Sequence, residues 1–206
     1  MLTTPGARLA EWIVHTDRAT IPTTALDAAA RASFDCVGVI LAGAADPVVG
    51  RRMLDYVLGQ GAVGPSAVVG SGRRTTPSLA ALANGTAAHA LEFDDMSGFG
   101  HPSAVVVPAL LAVAEAAPGP VTGADLTSAY VVGLEVGMGF FRGGPRRARY
   151  AQMERGFHAT GVFGRLAGTA ARVDAGDVAR YPAHSIASEA DAASRSRSRI
   201  CTARIV

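Results

Sequence analysis

The chain has 206 residues, of which 49% are hydrophobic and 17% charged, and its formal net charge is +2. That composition fits a globular, core-forming protein, excludes a wholly disordered one, and provides no general nucleic-acid or membrane-binding surface. All nineteen basic residues are arginine, which removes lysine as a catalyst.

Cys36 and Cys201 are too few and too far apart for a disulfide framework or a metal knuckle, so a reducing cytoplasm is expected. The amino terminus lacks the basic start and unbroken apolar stretch of a signal peptide. The apolar runs at 37–45 and 104–114 fall short of the about 20 residues needed to span a bilayer.

Apolar positions recur at helical spacing along most of the chain, and strand-like alternation is scarce, so an all-α fold is predicted. Thr4 and Pro5 open a first helix carrying Leu9, Trp12 and Ile13. Thr23 or Thr24 caps a second, with Leu26, Ala30, Phe34, Val37 and Leu41 on one stripe, stopped by Gly43 and Asp46-Pro47. A third helix runs from Val48 to Leu58. The segment 59–72, rich in Gly and Val, holds one short strand or an extended loop. Thr76-Pro77 starts the next helix, on which Leu82, Thr86, His89 and Phe93 share a face and Glu92 lies three residues beyond His89. Residues 94–100 read as a loop, and His101-Pro102-Ser103 leads into an apolar helix with Pro108 near its start.

Beyond the turn Pro118-Gly119-Pro120, Thr122 and Asp125 have the spacing of a capping box. The helix they open contains Gly133, Gly137 and Gly139, poor helix formers that imply close packing of another backbone. The run RGGPRRARY reads as a surface loop. Gly156-Phe157-His158 precedes a helix with Gly161, Gly164 and Gly168 on one narrow face, again a sign of tight helix contact.

The stretch from Asn84 to Ala104 sets two histidines and three carboxylates among small apolar residues. Burying ionisable groups is unfavourable unless they pair or meet a polar ligand, so their concentration reads as one wall of a site; helix capping is the plainer account. His158, just before a helix built of small residues, is as consistent with chemistry as with a hydrogen bond to a neighbouring turn.

Four blocks, ALDAAARASFDCVGVILAGAADP, ALANGTAAHALEFDD, GHPSAVVVPALLAVAE and RGFHATGVFGRLAGTAAR, occur in an order that resembles the amino-terminal part of the MmgE/PrpD family, which includes 2-methylcitrate dehydratases and cis-aconitate decarboxylases. The resemblance covers residues 2–180. It implies a predominantly helical domain that acts in a homodimer and shares its active site with a second, lid-like domain, absent from this sequence. It implies a tricarboxylate substrate, no cofactor and no metal. His101 matches the histidine of the family's His-Pro-Ser block, His158 that of its Gly-Phe-His block, and Glu92 the acidic residue opening an acidic-Phe-Asp-Asp motif, followed by Asp94 and Asp95 as substrate-binding groups. Glu92 stands where the family usually has Asp, and Met96 where it often has Thr, leaving Ser97 as the nearest hydroxyl. A lysine and a tyrosine of the family's site come from sequence beyond this chain.

Dehydrating a hydroxylated tricarboxylate needs a base to remove a proton next to a carboxylate and an acid for the departing hydroxyl. Decarboxylating cis-aconitate needs an acid to protonate carbon. Imidazoles serve both, with an ordinary pKa of about 6.5. The expectation is that His101 and His158 bind carboxylates and exchange protons, with Glu92 orienting one imidazole.

From Tyr181 the sequence loses helical periodicity and becomes a Ser, Arg and Ala tail of low complexity. The domain reading is therefore an incomplete helical domain over 1–180 and a tail over 181–206 that is disordered or read out of frame. Three functions follow: a lyase fragment, dehydratase or decarboxylase, with weak or no activity alone; a noncatalytic helical remnant that self-associates; and, ranked well below, nucleic-acid binding through the Arg/Ser tail.

Overall fold

A computed structural model describes residues 4–143 and 152–174. The helices are α1 (Pro5–His15), α2 (Thr23–Ala44), α3 (Val49–Gly59), α4 (Pro77–His89), α5 (Ser103–Ala114), α6 (Gly123–Arg142) and α7 (Ala159–Asp174), with a 3-10 turn at Arg18–Thr20. Among the described residues the fold is helical apart from one hairpin, β1 (Ser66–Val68) and β2 (Arg73–Thr75), antiparallel with Ser66 opposite Thr75. The tail over 181–206, the end of the expected domain over 175–180, and residues 144–150 of the arginine-rich loop lie outside the described residues. Among those residues no single helix is long and apolar enough to cross a membrane.

The caps show where local chemistry decides. Thr4 accepts the Ala7 N–H, and Thr122 with Asp125 forms the expected box, each side chain bonding the other's backbone N–H. The Thr122 hydroxyl, and then its backbone N–H, donate to the Asp125 carboxylate and hold it below its usual range. Neither Thr23 nor Thr24 caps α2: the N-cap is Pro22, which brings no side-chain hydrogen bond. Thr76 is the N-cap of α4 in position only, since its hydroxyl lies by Ser78 and not on a backbone N–H.

Helix α5 is the centre of the fold. Apolar on nearly every side, it is packed by α2, α4, α6 and α7 and by β1. Pro108 sits inside it, where it lacks the N–H that would bond the carbonyl four residues back, at Ala104. Gly85 of α4 lies over that carbonyl: a Cβ there would be 3.1 Å from the Ala104 oxygen. The glycines of α6 and α7 also work by closeness. A Cβ at Gly133 would come within 2.6 Å of the Ala167 carbonyl, and one at Gly164 within 3.0 Å of Val105, whereas Gly139 and Gly161 face open space.

Asn84 secures the hairpin to α4. Its amide oxygen accepts the Val69 N–H at 2.9 Å and its nitrogen donates to the Ala67 carbonyl at 3.0 Å. Ser66 donates to the Ala112 carbonyl at 2.7 Å, joining the hairpin to α5. The segment 59–72 thus holds one short strand, the first of the two expected alternatives, and Arg73–Thr75 just beyond it pairs with that strand in a pinned hairpin.

The predicted stripe of α2 turns outward. Phe34 is 84% exposed and Leu41 is 50% exposed, while Ala29, Cys36, Val39 and Ile40 form the buried face. Helical period says which residues share a face but not which face a neighbour covers.

Candidate active site

Helix α4 ends at His89, and the chain reverses through Glu92, whose φ of 48° is the left-handed conformation that lets the next residues fold back under the helix end. Asp94 is thereby driven inward. Its side chain is 0% exposed and lies between two imidazoles: Oδ1 is 3.0 Å from His89 Nδ1 and Oδ2 is 3.1 Å from His101 Nδ1. The two rings are 4.3 Å apart, inclined at 54°. A buried carboxylate is costly unless it is hydrogen-bonded, and the His89 imidazole supplies one such bond.

Asp95 faces the other way and builds the start of α5. Its Oδ1 accepts the Ser103 N–H at 3.0 Å and its Oδ2 accepts the Ser103 hydroxyl at 2.7 Å. The Ser103 hydroxyl is also 2.7 Å from the Tyr130 hydroxyl of α6, which reaches Asp95 Oδ2 at 3.4 Å. Burial, with the Asp95 charge beside it, holds the Tyr130 phenol above its ordinary range. The Cys36 thiol of α2 donates to the Ser103 carbonyl at 3.4 Å, and burial first, then the Asp95 and Asp94 charges, push it up to about 12. It is a thiol, not a thiolate nucleophile, at neutral pH.

Between Asp95 and His101 the chain makes a tight turn, Ser97 and Gly100 exchanging two backbone hydrogen bonds of 2.7 Å. Phe99, at the turn's tip, is fully buried, with its ring against α6 at Gly137 and 6.5 Å from Phe163. The His101 N–H donates to the Thr160 hydroxyl of α7 at 3.1 Å. His158 lies two residues before Thr160, just ahead of α7, and its side chain is exposed.

The six predicted residues thus part company. His101 sits in a cluster with His89 and Asp94, whereas His158 is exposed. Asp94 and Asp95, read as substrate groups, are both engaged by protein partners. Ser97 and Glu92 are exposed, and the carboxylate that touches imidazole is that of Asp94, not that of Glu92. Sequence reasoning passed over His89 as a site residue, and Ser103, Tyr130 and Thr160 altogether. The spacing of His89 and Asp94, five residues apart across a helix end, was the available signal for the first.

His89, Asp94 and His101 place their donor atoms within 4.8 Å of one another, a set that could hold a transition metal. Both Nδ1 atoms face the carboxylate, however, so a cation there would have to displace the hydrogen bond already formed from His89.

Residues 7–189 match the profile of the MmgE/PrpD N-terminal domain. The chain belongs to the MmgE/PrpD family. It is 31% identical over 175 residues to a cis-aconitate decarboxylase-like protein, oryM, of Aspergillus oryzae, covering 80% of this chain and 35% of that protein. It is 40% identical over 101 residues to human cis-aconitate decarboxylase, covering 48% of this chain and 20% of that enzyme, and the mouse enzyme is similar at 38%. This MmgE/PrpD chain therefore spans about a third or less of the relatives it matches, and their names make the family one of lyase type.

Proposed function

We propose that this chain supplies one wall of a lyase site for a tricarboxylate, with His101 as the group that exchanges a proton with substrate and His158 as a second imidazole binding a carboxylate. The observation that carries the reading is the His89–Asp94–His101 cluster at the corner where α4, α5 and the start of α7 meet. In dehydration of 2-methylcitrate or a similar hydroxy acid, a base takes the proton from the carbon next to a carboxylate. The carbon–carbon double bond forms as hydroxide leaves, protonated to water. In decarboxylation of cis-aconitate, carbon dioxide leaves and an acid protonates the carbon that keeps the electron pair. Both need a positioned imidazole near neutrality.

Dehydration is the primary reading, and decarboxylation, which the relatives' names favour, the second. Absorbance of an unsaturated tricarboxylate formed from 2-methylcitrate, set against carbon dioxide released from cis-aconitate, separates them. Turnover is expected to be residual, because groups acting as a unit lose most of their effect when some are missing. His101→Ala should abolish it; an unchanged rate would reject the assignment.

The partner we propose is a second copy of the chain. An open groove of about 760 Å³ runs along the outer face of α2, bordered by Phe34, Gly38, Leu91 and Phe93, with Arg31 and Asp35 on its rim. Phe93 is 81% exposed. Exposed apolar surface of this kind marks an interaction site, and a two-fold contact would set Arg31 of one copy against Asp35 of the other. Sedimentation should find a dimer or larger species, shifted toward monomer by Phe34→Asp. A stable, monodisperse wild-type monomer would contradict this.

A further inference from the structure

We propose that Asp94 and His89 are positioning residues that fix the tautomer of His101, so that Nε2 of His101 is the nitrogen that meets substrate. The inference rests on the lyase reading for its consequence, though not for its geometry.

An ionised carboxylate can only accept hydrogen bonds, so each imidazole nitrogen facing it must bring the proton. His89 Nδ1 does so at 3.0 Å, in hydrogen-bond alignment with Oδ1. On the other side, Asp94 Oδ2 and His101 Nδ1 are both buried and lie 3.1 Å apart without the alignment of a hydrogen bond, and neither has another partner among the described residues. Were the His101 proton on Nε2, two lone pairs would face each other across that gap in a buried site, leaving both groups unsatisfied and repelling. With the proton on Nδ1 the same approach is attractive. Both neutral rings are thereby Nδ1–H tautomers, each with its Nε2 lone pair turned away from the carboxylate. His89 takes up the second carboxylate oxygen, and so restricts Asp94 to one orientation toward His101. The backbone bond from His101 to Thr160 holds the other end of the residue. Partners of this second rank decide which imidazole nitrogen is free to act.

Two-bond nitrogen–proton correlation spectra of the uniformly 15N-labelled full chain, recorded with the imidazoles neutral and no substrate present, read the tautomers directly. His89→Gln and His101→Gln supply the assignments. Both rings are expected to be protonated at Nδ1; an Nε2–H form for His101 would overturn the proposal. In Asp94→Asn the carboxamide offers one acceptor and one N–H donor, so one of the two rings should switch to Nε2–H. Two unswitched rings in a folded Asp94→Asn chain would equally overturn it. If that variant does not fold, the wild-type spectrum still decides. Because no turnover is required, failure here is separable from failure of the lyase reading, which an unchanged rate in His101→Ala would reveal.

Discussion

Phe99→Ala should lower the stability of the fold by about 3–5 kcal/mol, the usual cost of emptying a fully buried aromatic position. The ring fills the space between the turn at 97–100 and helices α6 and α7, where a Cβ on Gly137 would already lie 2.7 Å from it. The α6–α7 contact is already close at Gly133 and Gly137, so those two helices cannot simply draw together over the gap. The effect should reach the site as well, since Phe99 is two residues from His101 and anchors the turn that carries it. Urea denaturation gives the number, and Phe99→Leu should recover most of it. A midpoint change equivalent to less than about 1 kcal/mol would mean that the turn is held by its backbone bonds alone.

Gly43→Val should cost about 3 kcal/mol or more, at the upper end of what overpacking does, because the added carbon falls on backbone. It would collide with the Ala87 carbonyl oxygen and lie 2.8 Å from its carbon and 3.2 Å from the Ala90 side chain, so α2 and α4 would have to separate just before the His89 end of α4. For a chain of this length that corresponds to a melting temperature lower by roughly 6–12 °C. Gly139→Ala is the contrast. It is also helical but has nothing within 4 Å of an added Cβ, so it should gain up to about 1 kcal/mol from helix propensity. Equal effects of the two substitutions would show that propensity, not the α2–α4 contact, governs both.

Much of the architecture was legible because it is locally determined. Thr4, the Thr122–Asp125 box and the glycines at 133, 137 and 164 each carry their reason within a few residues or in their lack of a side chain. The outward face of α2 was not, because the period of Leu26, Phe34 and Leu41 is the same whether a neighbour covers it or not. The hairpin was half-seen, its register depending on Asn84 and Ser66 reaching across 15 and 46 residues.

At the site, the concentration of charge from His89 to His101 was visible, but the assignment of roles was not. The reversal at Glu92 puts Asp94 under the helix end and leaves Glu92 outside. Asp95, one residue on, points to Ser103 and Tyr130, the latter 35 residues away. Spacing alone does not choose among three carboxylates within four positions; the fold does.

The most direct measurement of the central claim compares initial rates of unsaturated tricarboxylate formation from 2-methylcitrate by the wild-type chain and by His101→Ala, at matched folding by circular dichroism. A slow but measurable wild-type rate that disappears in the variant is the predicted result. A wild-type rate that His101→Ala leaves unchanged would contradict the account.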